Sequence, residues 1–134
     1  MLALLKRIFR WVLEGAIRAS WYHAIQLKKG YRQTMIHVTA IITAVPGKRS
    51  ELLDAFMQIV PLVHAEKGCV EYVPVTDASN AGKAQTELGP DTFMVVEKWE
   101  TMDDLKAHSV SEHMVNYGKN AGHMVADRVI HILS

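Results

Sequence analysis

The sequence predicts an α+β domain, a ferredoxin-like β-α-β-β-α-β unit over residues 35–134, behind a basic helical extension over residues 1–34. Three observations predict it. Segments of strand-like and helix-like periodicity alternate in that order. A strand ends on Trp99 and a capped helix starts at once with Thr101. The charge changes sign between the two parts, +6 up to Thr34 and −5 from Met35 onward, inside a net charge of +1.

Each element follows from its residues. Met35 to Val45 is β-branched and mostly uncharged, and Pro46-Gly47 ends it as a strand. Val38, Ala40 and Ile42 share one face; His37, Thr39, Ile41 and Thr43 share the other. Ser50 to Glu66 carries a helical stripe of Leu52, Leu53, Phe56, Ile59, Val60 and Val63, with Ser50 as the expected N-cap and a kink expected at Pro61. Gly68 stops it. Cys69 to Thr76 is a second strand around Tyr72, and Asp77 to Asp91, rich in Gly, Ser, Asn and Pro, is a loop. Thr92 to Glu100 is a third strand with Phe93, Val95, Glu97 and Trp99 on one face. Thr101 caps a helix that runs to about His108, with Asp103 and Asp104 suiting the dipole of its first turn. Ser109-Val110-Ser111 breaks it, a second helical piece runs from Ser111 to about Asn120, and Val129 to Leu133 is the last strand.

Two helices cover one face of a four-stranded sheet. The other face carries large apolar residues, so the sequence itself points to a homodimer that pairs two sheets; the faces of the Phe93 and Val38 strands are the ones expected to be buried.

Composition excludes several classes. A mildly acidic body gives no footprint for nucleic acid. Cys69 is the only cysteine, which excludes an intramolecular disulfide and a Cys-based zinc cluster and points to a reducing, cytoplasmic compartment. No apolar run approaches the roughly 20 residues that span a bilayer. The sequence has no Gly-rich dinucleotide fingerprint, phosphate loop or paired-His metal motif. Three readings of residues 1–34 stay open. Met35 is the true start and the segment is not part of the functional protein; or it is a basic amphipathic helix in peripheral contact with an anionic membrane, with Trp11 and Trp21 at the interface; or it packs on the body or on a partner chain.

In order, Pro46-Gly47-Lys48, Glu66-Lys67-Gly68-Cys69-Val70-Glu71-Tyr72, Glu97-Lys98-Trp99-Glu100, His108 and Ser111-Glu112-His113-Met114 resemble the antibiotic biosynthesis monooxygenase family, in particular its bacterial quinol monooxygenase branch. The resemblance covers residues 35–134 and none of the extension. It implies a dimeric α/β barrel that oxidises small electron-rich aromatics such as quinols with molecular oxygen, without flavin, heme or metal. Heme-degrading relatives carry an Asn on the first strand, which Val38-Thr39-Ala40-Ile41 lacks. A branch that isomerises a phosphorylated signalling sugar keeps a similar series of residues.

The candidate site residues follow. Glu97 sits among apolar neighbours, where a carboxylate's pKa rises and suits proton abstraction; a structural ion pair is the alternative. His108 is the other candidate base. His113 lies five residues on, a rotation of about 140° on a continuous helix, so the two histidines share a site only if the helix breaks between them. Trp99 is a surface for stacking a planar substrate, against core packing as the alternative. Tyr72 and Tyr117 are candidates to line the pocket and bond a substrate oxygen, against core packing as the alternative for each. His37 and His131 read as structural, and His64 and His123 as solvated helix positions. The expectation is a cofactor-independent monooxygenase with His108 and Glu97 catalytic and Trp99, Tyr72, His113 and Tyr117 binding substrate. The rivals are the sugar-phosphate isomerase, for which Lys48-Arg49 is the one visible cation cluster of residues 35–134, and a non-catalytic dimeric module.

Overall fold

The computed structural model describes residues 35–134, so the readings of residues 1–34 fall outside it. The order is β1 (Ile36–Ala44), α1 (Arg49–His64), β2 (Cys69–Val75), a single 3-10 turn at Gly82–Ala84, β3 (Thr92–Trp99), α2 (Met102–Ser109), α3 (Glu112–Ala121), a 3-10 turn at Gly122–Met124, and β4 (Val125–Leu133). The strands lie in the order β2-β3-β1-β4 with every neighbouring pair antiparallel, which is the ferredoxin-like arrangement.

The helices cover the face that carries Val38, Ala40, Ile42, Phe93, Val95, Glu97 and Trp99, all buried. Residues opposite each other in adjacent strands share a face. Tyr72, Glu97, Val38 and Ile132 therefore form one row across the sheet, with Val95, Ala40 and Ile130 in the next. From α1, Leu52, Phe56, Ile59 and Val63 pack onto these rows. Phe56 is the hub, stacked on Tyr72 at 5.3 Å and edge-on to Phe93 and Tyr117 at 5.7 and 5.8 Å.

This corrects the face named for a dimer. Phe93 and Val38 are buried by their own chain's helices. The side that no described helix covers carries Ile41, Met94, Val96, Val73, Val129 and Leu133, none of them buried.

Other differences are local. The N-cap of α1 is Lys48 rather than Ser50, without a side-chain capping bond. The Val45–Lys48 turn starts the ladder two residues early, with Lys48 N–H donating to Val45 O and Leu52 N–H to Lys48 O. The helix continues past Pro61 to His64. Its end is tied to the sheet by a 2.9 Å bond between His64 Nε2 and Tyr72 O, so this exposed histidine is bonded as well as solvated. The last strand begins four residues earlier than its apolar run, because Val125 and Asp127 pair with Ala44 and Thr43 through a bulge. Asp77 organises the long loop: its carboxylate accepts from Leu88 N–H, Gly89 N–H and the Gln85 amide, and the first two bonds hold its carboxyl below the usual range.

Candidate active site

Two turns meet at one end of the sheet. After α1 the chain passes through Glu66 to Gly68, whose φ of +76° suits glycine. A Cβ at Gly68 would also overlap the carboxyl of Asp104. That carboxyl belongs to the second turn. Asp104 N–H donates to Thr101 Oγ1 at 3.1 Å, the cap expected from the sequence, and the Thr101 hydroxyl donates back to Asp104 Oδ2. Glu100 N–H donates to Gly68 O at 2.8 Å and clamps the turns together. The consequence is a meeting of residues 42 apart: His108 Nδ1 lies 2.9 Å from Glu66 Oε1 and 3.2 Å from Oε2.

The helix break between Ser109 and Glu112 brings in the second histidine. His113 Nε2 lies 2.5 Å from the same Glu66 Oε1, with Ser111 Oγ at 3.1 Å. The condition set by the spacing is thus met, and both imidazoles converge on one carboxylate. Glu66 is the residue that sequence reasoning missed. It figured only as the last residue of the expected helix and in the run that carries the family resemblance, and no local signal marks a helix-end glutamate as the partner of a distant histidine.

The imidazole of His108 is held on three sides. Its Nδ1 faces Glu66, Trp99 packs on the ring at a centroid distance of 4.7 Å, and Tyr72 lies edge-on at 5.3 Å. Trp99 is fully buried, and its Nε1–H donates to Glu97 Oε2 at 2.9 Å. Burial raises the Glu97 pKa; the Trp99 bond and His108 oppose the shift, and Glu66 adds to it.

A cavity of about 380 Å³ opens between this end and β4. Its aromatic wall is Phe56, Tyr72 and Tyr117, its floor is Val38, Ala40, Val95, Ile130 and Ile132, and Glu97 and His108 stand at its polar end. Trp99 lies behind His108 and outside this lining, and His113 lines a separate groove between α1 and α3. The structure therefore divides the expected set: Glu97, His108, Tyr72 and Tyr117 share the cavity, while Trp99 and His113 back it. The Tyr117 hydroxyl is buried without a hydrogen-bond partner among the described residues, and burial pushes its pKa up to about 12 against the pull of Arg128. Among the described residues the Tyr72 hydroxyl has only the Met114 sulfur, at 4.0 Å, and burial raises its pKa strongly. Lys106 and Arg128, which no run in the sequence groups, also line the cavity.

Because Glu66 accepts from Nδ1–H, a neutral His108 carries its proton there and keeps the Nε2 lone pair free. A buried imidazole oriented by a carboxylate in a mostly apolar pocket is equipped to take a proton from a hydroxyl.

The family model described as antibiotic biosynthesis monooxygenase matches residues 35–120. The chain belongs to that family. A relative from Escherichia coli K12, named probable quinol monooxygenase YgiN, is 37% identical over 101 residues, covering 74% of this chain and 96% of its own. Among solved structures, PA3566 from Pseudomonas aeruginosa superposes with a TM-score of 0.62 at 24% identity, covering 75% of this chain and 92% of its own. A Nitrosomonas europaea protein superposes with a TM-score of 0.66 at 16% identity, covering 78% and 92%. These two likenesses speak for the family fold alone.

Proposed function

We propose that this member of the antibiotic biosynthesis monooxygenase family oxidises a quinol or similar hydroxylated aromatic with molecular oxygen, using the quinol itself as reductant. The observation that carries the reading is the Glu66–His108 pair at the polar end of an aromatic-walled cavity. His108 Nε2 removes a hydroxyl proton, and the resulting quinolate is electron-rich enough to give an electron to oxygen. One oxygen atom enters the ring, the other leaves as water, and the product is a hydroxyquinone, so atoms and electrons balance. Apolar walls exclude water from the reactive pair. The Tyr117 hydroxyl, which has no hydrogen-bond partner among the described residues, would bond a second substrate oxygen. A homodimer joined through the Ile41–Met94–Val96 face fits the same reading, since that face is apolar and uncovered.

One observation favours a second reading. Lys106 and Arg128 in the lining suit an anionic ligand, as the isomerisation of a phosphorylated sugar-like compound requires. The discriminating experiment is oxygen uptake with a panel of reduced quinones, on protein stripped of flavin and metal. Uptake is expected, and His108→Ala is expected to lower its rate by about 10²–10⁴-fold, the usual worth of a positioned base, with a smaller change in KM. No uptake with any quinol, together with saturable binding of a sugar phosphate, decides for the second reading.

A further inference from the structure

We infer that Glu66, His108 and His113 form a binding site for one late first-row divalent cation of the Zn²⁺ or Co²⁺ kind. Glu66 Oε1, His108 Nδ1 and His113 Nε2 lie within 4.8 Å of one another. They come from three separate pieces of chain: the end of the α1 turn, α2, and α3 beyond the helix break. Two imidazole nitrogens and one carboxylate oxygen suit a borderline-soft ion, whereas Ca²⁺ and Mg²⁺ favour all-oxygen shells.

The fit requires side-chain adjustment and no change of backbone course. Zinc holds nitrogen and oxygen ligands at about 2.0–2.2 Å, which sets tetrahedral ligands roughly 3.3–3.5 Å apart. Glu66 Oε1 now lies 2.9 and 2.5 Å from the two nitrogens while the three donor atoms span up to 4.8 Å, so an ion enters as the carboxylate backs away by less than about 1 Å and the partly exposed His113 ring swings inward by roughly 1.5 Å. The Glu66 side chain, 14% exposed on the turn after α1, has room to do so. His113 is 21% exposed and gives the ion a way in from solvent. Three protein ligands leave a fourth position open, and Ser111 Oγ, 3.1 Å from His113 Nε2, is placed to anchor a water there. Trp99 and Tyr72 already fix the plane of the His108 ring.

Occupancy has a consequence for the cavity. With Nδ1 bound to a metal, a neutral His108 keeps its proton on Nε2 and loses the lone pair directed to substrate. Metal loading and proton abstraction by His108 are then mutually exclusive. This consequence rests on the base role given above to His108; the binding itself does not.

The test is titration of the full chain with Co²⁺, followed by visible d–d absorption, and with Zn²⁺ by calorimetry. One saturable equivalent per chain is expected. Glu66→Gln and His113→Ala should each weaken it by at least about tenfold, the loss that even an outer-shell partner of a metal ligand produces. His123→Ala, at an exposed histidine elsewhere, should bind as the parent does. If Glu66→Gln does not fold, His113→Ala decides, because its ring is partly at the surface. The absence of saturable binding, or binding that His113→Ala leaves unchanged, overturns the site. Oxygen uptake measured in parallel separates the two ideas. A bound metal that leaves quinol oxidation undiminished supports the site and removes His108 as the base, whereas full activity without metal binding removes the site and leaves the base in place.

Discussion

The two ends of the cavity are built by opposite means. At the polar end, every functional group is engaged within one chain: His108 with Glu66, Glu97 with Trp99, and Gly68 against Asp104. At the β4 end, Ile130 and Ile132 line the same cavity yet remain 51% and 52% exposed, and Arg128 is exposed beside them. The helices reach across β2, β3 and β1 and stop short of β4. Under the proposed function the chemistry is pre-organised by the single chain, and the apolar wall is left for a substrate, a second copy or both to cover. Orienting a base demands fixed hydrogen bonds, whereas admitting an apolar ring demands only a surface that water leaves readily.

The polar end should break first and hardest at Gly68. Gly68→Ala meets a left-handed φ and the Asp104 carboxyl together, and a loss of about 2–4 kcal/mol of stability is expected from the sum of backbone strain and overpacking. Chemical denaturation measures it. Activity of the folded fraction should fall as well, because the same turn aims Glu66 at His108. A variant as stable as its parent would show that the two turns are not clamped.

The open end should respond in binding rather than in folding. Ile132→Asp is expected to raise the KM for an apolar quinol roughly tenfold, about 1.4 kcal/mol, with little change in melting temperature. Steady-state oxygen uptake and a thermal melt check both halves. A large loss of stability would mean that β4 belongs to the core after all.

Removing the cap tests how much of the polar end depends on the start of α2. Thr101→Ala should cost about 1 kcal/mol, through loss of the bond from Asp104 N–H and of the hydroxyl donor to the buried Asp104 carboxyl. Equilibrium unfolding at neutral pH measures it.

The mildest change is Glu97→Gln, and its sign depends on pH. The folded-state pKa of Glu97 lies above its ordinary value of 4.5. The native state therefore holds this proton more tightly than the unfolded chain, and the stability it gives is present in full below about pH 4.5 and is lost as pH rises through the raised folded value. Glutamine stays neutral and still accepts from Trp99 Nε1–H. The melting temperature of Glu97→Gln relative to the parent should accordingly climb as pH increases from 4 to 8. A flat difference would mean that Glu97 titrates normally.

Much of this was legible in the chain. Period-2 runs at β1 and β3 put Val38 and Glu97 on one face, because alternate side chains of a strand leave on opposite sides whatever surrounds them. Thr101 followed by Asp103 and Asp104 fixes the start of α2, since capping is a bond between residues three apart. The Ser109–Ser111 break, read from local composition, is what allows His108 and His113 to converge. Each of these is settled within a few residues of chain.

What the tertiary structure decided are the encounters between distant residues. Glu66 meets His108 across 42 positions only because Gly68 lacks a side chain where Asp104 passes. Trp99, for which stacking on substrate and core packing were both open, is the buried backing of a histidine because α2 folds over the end of β3. Which sheet face stays bare, which aromatic rings wall the cavity, and that Lys106 and Arg128 enter its lining depend on how helices lie across strands. Periodicity records that a residue has a face. Only packing records what that face meets.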